Sequence, residues 1–379
     1  MIVVWSALVA FFAIYKKKSK YVFYFTVFFL WILMAFTYGT ADESVYLSRY
    51  NEPELWAGRT EILYALIIDL ARKIGLNFQQ FKAVITAIQL LLISSTVNKY
   101  AKYPNFVMLL YFVVPFPLNV AQMRHALATS IFIWFSRFLL DDSKTLLRLR
   151  FNNKSLPVET ADFWYVVGIG LATMVHTASI LWLILLVAKK CTMKTTLMIT
   201  LLANVVIGFL LTPTNMLRII QLVAPTASGR IGAYVSVDYQ DSEWRHYSQI
   251  LLVLFVGFMV YIIYEFVNNK RKRFEYDEKL EMAAKMNIAI LVIASIILRY
   301  TAEAYRLQEG MFVLNYILIT NVMAEDKWNL RRISMSHCKL LGMVAMLVLG
   351  TAWFLIYHYL FDMVMQPLFT QNLVLDFLK

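Results

Sequence analysis

The sequence predicts an all-α, polytopic membrane protein with about twelve transmembrane helices and further helices lying against the outer face. Three observations predict it. Of 379 residues, 60% are hydrophobic and only 16% charged, far from the balance of a soluble domain. The apolar residues collect in runs near the length that about 30 Å of hydrocarbon demands, roughly 20 residues per helix. Lysines gather in alternate loops between those runs, as positive charge retained on the cytoplasmic side does.

Taken in order, the runs fall near 1–15, 21–39, 80–98, 103–119, 123–140, 161–176, 177–188, 195–212, 247–267, 286–299, 310–324 and 340–361. The first has no small-residue cleavage site before Lys16, Lys17 and Lys18, so it reads as a retained span and not a signal peptide. Residues 59–75, inside the long loop 40–79, have the pattern of an amphipathic helix too charged to span and suited to the outer leaflet. Pro115 and Pro117 break the helix that precedes 123–140. The stretch 161–188 is either one long tilted helix or two short spans turning at His176, and the choice sets the orientation of everything after it. Two spans make the alternation work at every loop. The loops at 16–20, 99–102, 141–160, 189–194, 268–285 and 326–339 are then cytoplasmic and hold 23 of the 36 basic residues. Both termini and the loop 213–246 face outward. The whole chain, 1–379, reads as a single integral membrane domain whose outer loops 40–79 and 213–246 contribute to the side that carries the chemistry.

The basic residues also differ in kind between the two sides. The cytoplasmic 23 are mostly lysine, whereas the outer side carries Arg49, Arg59, Arg72, Arg124, Arg218, Arg230, Arg245, Arg299 and Arg306 against Lys73, Lys82 and Lys379. Arginine binds phosphate through a planar fork and stays charged where water is scarce, so the outer half looks built to hold an anion. Headgroup contacts and pairing with acids are the plain alternative for any single arginine. Arg124 stands out in "PFPLNVAQMRHALATSIFIW", because an arginine inside an apolar run is costly and usually faces a cavity. Asn119 and Gln122 add polar side chains in the turn before it, and the start of a helix there would present N–H groups to an anion. His125, about 100° further round the helix, reads more simply as an interfacial hydrogen-bonder.

Three further groups qualify. Arg299, Glu303 and Arg306 share a helical face at i, i+4 and i+7, either a self-neutralised polar face or an arginine clamp oriented by Glu303. His176, in "ATMVHTASILW", is equally readable as a general base or a structural hydrogen-bonder. Asp42 and Glu43 begin the first outer loop, followed by Tyr46, Tyr50 and Trp56, aromatics that suit sugar faces and the membrane interface alike.

In their order and spacing, the acidic start of the first outer loop, "LNVAQMRHALATSIFIW", "MVHTASILW", "SGRIGAYV" and "RYTAEAYRLQ" resemble the EpsG family of exopolysaccharide membrane proteins, related in role to Wzy-type polymerases. The resemblance implies a GT-C-like helical glycosyltransferase in a bacterial cytoplasmic membrane. It would join undecaprenyl-diphosphate-linked oligosaccharide repeat units to a growing glycan chain on the outer face. A flippase and a chain-length regulator would be its neighbours. On that reading Arg124, Arg230, Arg299 and Arg306 bind the diphosphate, Glu303 and Gln122 orient them, and His176 or Asp42, with Glu43 beside it, takes the acceptor proton. Arginines do this without a metal or other cofactor.

Competing chemistries leave little trace. The sequence has no G-x-x-x-x-G-K-[ST] loop, no H-E-x-x-H and no C-x-x-C pair, and Asp42-Glu43 alone is weak support for a divalent ion. The net charge of +12 follows largely from topology, so no nucleic-acid partner is expected. The rivals are a lipid-linked oligosaccharide flippase or other secondary transporter, in which buried Arg, Glu and His bind substrate or couple protons, and a membrane O-acyltransferase using His176. No internal repeat supports the first. Arginines on the outer side do not suit acyl donors that arrive from the cytoplasm.

Overall fold

Among the described residues, helices form where apolar runs were predicted. The structure, a computed structural model, describes residues 2–52, 54, 61–141, 145–151, 154–210, 278–294, 306–324 and 335–377, with scattered positions between 215 and 261. Helices α1 (Ile2–Tyr15), α2 (Lys20–Phe36), α5 (Phe78–Tyr100), α10 (Thr160–Val175) and α12 (Met193–Leu210) match predicted spans. So do helices Phe312–Met323 and Met335–Tyr359. Among the described residues, α5 alone is both long and apolar enough to cross a bilayer unaided. The outer loop forms two helices, α3 (Glu43–Asn51) and α4 (Ile62–Lys73), the second being the predicted amphipathic one. The prolines divide the next run into α6 (Pro104–Val113) and α7 (Phe116–Ala121), and a further break at Gln122 precedes α8 (Met123–Phe135) and α9 (Arg137–Leu140). The segment 141–160, predicted as a cytoplasmic loop, contains an antiparallel hairpin of β1 (Thr145–Phe151) and β2 (Lys154–Glu159). Alternation of Leu147, Leu149 and Phe151 with Arg148 and Arg150 is a period-two pattern that suits a strand.

The stretch 161–188 turns, as the two-span reading requires. Helix α10 ends at Val175, His176 is extended, and a 3-10 segment, Thr177–Leu183, follows. The Tyr165 hydroxyl donates to the Trp182 carbonyl over 2.8 Å. Seventeen residues of straight helix would separate those groups by about 25 Å. The chain has therefore doubled back at His176.

Two units pack separately. The first comprises residues 1–183, 310–327 and 360–379, and the second 184–309 and 328–359. In the second, α12 is tied to helix Glu278–Ile290 and the turn after it by Thr200 Oγ1 to the Ile288 carbonyl (3.2 Å) and Asn204 Nδ2 to the Leu291 carbonyl (2.9 Å). In the first, α8 packs between α5 and α10. Gln89 Nε2 donates to the Met123 carbonyl and Thr96 Oγ1 to the Ile133 carbonyl, so α5 and α8 run parallel.

This first unit has two chemically different ends. At one, Asn105 binds the carbonyls of Lys16 and Ser19, Lys99 pairs with Asp141 at 2.7 Å, and Asn321 caps the Tyr100 carbonyl. These are the lysine-bearing turns. At the other end Thr37 bridges Asn372, Gln79 caps the Ala35 carbonyl, and α3 and α4 pack over the starts of α5 and α8.

Close approach of α10 to α8 depends on Gly168, where a Cβ would fall 2.0 Å from Phe135 Cγ. Gly170, two residues on, faces open space. Gly168→Ala should lose about 1–3 kcal/mol of stability, read as a lower Tm in detergent, while Gly170→Ala should be neutral or slightly stabilising.

Candidate functional site

Three interruptions in the helices converge at the second of those ends. The break at Gln122 starts α8 and puts Arg124 and His125 in its first turn. The turn at the end of α10 presents His176. Glu61 occupies the N-cap position of α4, but its side chain caps nothing in that helix. It leaves the helix and takes up both of the other residues. Arg124 Nη1 donates to Glu61 Oε2 over 2.6 Å, and His176 Nδ1 lies 3.5 Å from Glu61 Oε1. The three side chains are only 17% (Arg124), 12% (His176) and 6% (Glu61) exposed, so they meet with little water between them.

Aromatic groups close the cluster. The Arg124 backbone N–H donates to the Tyr46 hydroxyl at 3.4 Å. Tyr64 is fully buried within the electrostatic reach of Tyr46, Arg124, Arg49 and Glu61, and burial pushes its hydroxyl well above the ordinary tyrosine value. The rings of His125 and His176 meet edge to face, centroids 5.3 Å apart, and His125 Nε2 lies 3.4 Å from Thr129 Oγ1. Underneath, Tyr50, Tyr64, Ile68, Phe81, Met123 and Leu127 form a common apolar core that fixes α3, α4, α5 and α8 together.

Burial works to raise the Glu61 carboxyl, yet the His176 hydrogen bond, the Arg124 charge and a bond from the Thr177 backbone N–H overcome it and hold the group below the usual glutamate range. The result is a carboxylate kept ionised between a fixed cation and a histidine. Arrangements of this kind can bind an anion through the arginine and accept a proton at the histidine.

The other expected residues fall in several places. Glu43 pairs with Lys82 at 2.9 Å and accepts from the Gly39 N–H, and Lys82 also donates to the Thr37 carbonyl, so this acid ties α3 to α5. Asp42 sits in the turn just before α3, one helical turn ahead of Tyr46. Gln122 is the junction residue of α7 and α8; its backbone N–H continues the helix to Leu118, and its side-chain oxygen is buried with no hydrogen-bond partner among the described residues. Arg306 begins a short helix, Arg306–Glu309, in the second unit. Arg230, Arg299 and Glu303 lie outside the described residues.

A family model described as EpsG family matches residues 20–365. The chain belongs to the EpsG family. That makes it a membrane protein with a polysaccharide-polymerase type of function. No solved structure and no curated protein sequence is detectably similar to it. Within this EpsG-family chain, the sequence singled out Arg124 and His176, which the structure brings together at Glu61; it did not single out Glu61 or Tyr64, and gave His125 only a structural role. The sole signal for Glu61 was an acid at the head of an amphipathic helix, which reads first as a helix cap.

Because Glu61 titrates below its unfolded value in the folded protein, its ion pair stabilises fully above about pH 4.5 and is lost as pH falls through the lower folded-state value. The Tm difference between wild type and Glu61→Gln should therefore narrow progressively in acid below that point. A difference that stayed constant would mean the carboxylate is not charged in the fold.

Proposed function

We propose that this protein is a polysaccharide polymerase that transfers undecaprenyl-diphosphate-linked oligosaccharide repeat units to a growing glycan on the outer face of a bacterial cytoplasmic membrane. The observation that carries the reading is the meeting of Arg124, Glu61 and His176 at three helix breaks, at the end of the bundle away from the lysine-bearing turns. Membership of the EpsG family supports the same chemistry. A GT-C-like helical scaffold of about twelve spans, with both termini outside, is the topology this function would need.

In this mechanism Arg124 binds the diphosphate of the donor. The acceptor hydroxyl oxygen attacks the anomeric carbon of the donor sugar, its proton passes to His176 Nε2, and the anomeric C–O bond breaks with its electron pair leaving on the diphosphate. The leaving group departs as an anion already neutralised by the guanidinium, so no metal ion or other cofactor is needed. A guanidinium has five N–H donors, enough to serve both Glu61 and a phosphate oxygen. Arg230, Arg299 and Arg306 would extend the diphosphate site. Tyr46, whose hydroxyl accepts from the Arg124 backbone N–H, would offer its ring to a sugar beside the diphosphate, while Tyr64 supports it from the core. Asp42 is the second candidate for the proton. Glu303 and Gln122 would orient the binding groups, and Glu43 would hold α3 in place through Lys82. The bilayer supplies the donor, and a flippase and chain-length regulator are the expected partners.

The purified protein in liposomes, given a lipid-diphosphate-linked repeat unit, should produce a ladder of oligomers on a gel. Arg124→Ala should remain folded and lose about 10- to 100-fold in rate, the equivalent of one charge-assisted hydrogen bond of about 1.5–3 kcal/mol. Arg124→Lys should recover only part of it, since a lysine offers no planar fork. Full activity in the lysine variant would exclude bidentate phosphate binding. Transport of the lipid or sugar across the membrane with no ladder would make the protein a carrier instead. His176→Ala should leave donor KM nearly unchanged while lowering kcat by about 100-fold or more.

A further inference from the structure

We propose that Glu61 is a positioning residue that couples leaving-group binding to base strength, by dividing one carboxylate between the arginine and the histidine of the site. The inference rests on the polymerase reading and adds to it a residue and a regulation of the same centre.

The geometry carries it. Glu61 Oε2 receives Arg124 Nη1, and Glu61 Oε1 faces His176 Nδ1. An ionised carboxylate 3.5 Å from the ring favours the tautomer that carries its proton on Nδ1, an assignment that follows from the partner. Nε2 is then the basic nitrogen of His176. Among the described residues, the neighbouring charged or titratable groups are Arg124 and His125 on α8 and, around Tyr64 of α4, Tyr46 and Arg49 of α3. The 3-10 segment after His176 brings none. The Arg124 cation works against a proton on His176, and the Glu61 carboxylate works for it. That Glu61 stays ionised despite its burial agrees with this role.

A coupling follows from sharing. While no donor is present, Arg124 draws on Glu61 and weakens its pull on His176. When a diphosphate occupies the guanidinium, the arginine charge is shared with the ligand and the carboxylate is left to act on Nδ1–H. His176 is then at its most basic only when a leaving group is in place. An acceptor hydroxyl is thus deprotonated only against a loaded donor.

The test is the initial rate of polymerisation by full-length protein in liposomes across the range where histidine titrates, roughly pH 5 to 8. Wild type is compared with Glu61→Gln and Glu61→Asp, each normalised to folded protein by size exclusion and Tm. Glu61→Gln should lower kcat about 100-fold. Donor KM should be unchanged or lower, because Arg124 no longer answers to Glu61. The acid limb of its pH profile should move down by about one unit, because a histidine without its carboxylate loses its proton at lower pH. Glu61→Asp, with its carboxylate one methylene further away, should show an intermediate limb, and serves alone if the glutamine variant does not fold. Acid limbs identical to wild type in the variants that fold would overturn the coupling even if their rates fell, since a merely structural role lowers the rate and leaves the limb in place. Absence of polymer from wild type itself would overturn the polymerase reading and is distinguished by that control.

Discussion

Everything at the candidate site depends on one constraint, that a carboxylate removed from water must be compensated from several directions at once. Desolvating an ionised acid and an arginine together costs several kcal/mol per ion, and their attraction repays it only when geometry and extra hydrogen bonds are right. Glu61 meets that condition through groups on two other segments: Arg124 on α8, and the adjacent His176 ring and Thr177 backbone N–H after α10. Charge compensation therefore does a second job. It pins the head of α8, the turn of 161–188 and the start of α4 to a single point, and the site exists only when all three are in place.

Breaks of this kind need their backbone groups satisfied, because an apolar surrounding offers no water to do it. Buried and half-buried amides supply the partners. Gln89 reaches the Met123 carbonyl where α8 begins, Gln79 reaches the Ala35 carbonyl where α2 ends, and Asn372 reaches the Ile32 carbonyl from the far end of the chain. The Asn77–Gln80 capping box starts α5 squarely after α4. These ties explain how the cluster can stand on interrupted helices and still be held rigidly, as the proposed binding of a diphosphate would require.

Much of this was legible in the sequence, and the exceptions share a cause. Long apolar runs and alternating lysines gave the helices, and the turn at His176 followed from choosing the orientation in which every lysine loop alternated. Arg124 was visible because arginine in an apolar run is expensive wherever it lies. Glu61 was hidden because its local setting, an acid before "ILYALIIDLARK", is what a helix start looks like whether or not the side chain caps it. Its partners lie 63 positions away at Arg124 and further still at His176. Pairing across such distances is set by packing of α4 and α8 against α10, which no periodicity in a single segment reveals. The hairpin in 141–160 was missed for a smaller reason: its period-two pattern sits among charged residues that topology had already claimed as a loop.

The segregation of lysine and arginine has a physical consequence beyond orientation. Lysine is a compact, strongly hydrated charge, and at the ends of α1 and α5 it contributes a backbone carbonyl and surface pairs such as Lys99–Asp141, 46% and 32% exposed. Lys82, deeply buried at the first unit's other end, is spent on structure, joining Glu43 to the Thr37 carbonyl. Arginine occupies the position where the charge is nearly dry and directional, and where the proposed reading has it shared between Glu61 and a ligand. A lysine at 124 could satisfy Glu61 as well as Lys82 satisfies Glu43. It could not hold Glu61 on one edge and present a second edge to an incoming anion, and the residue type at that position is therefore an argument for a ligand, independent of the fold around it.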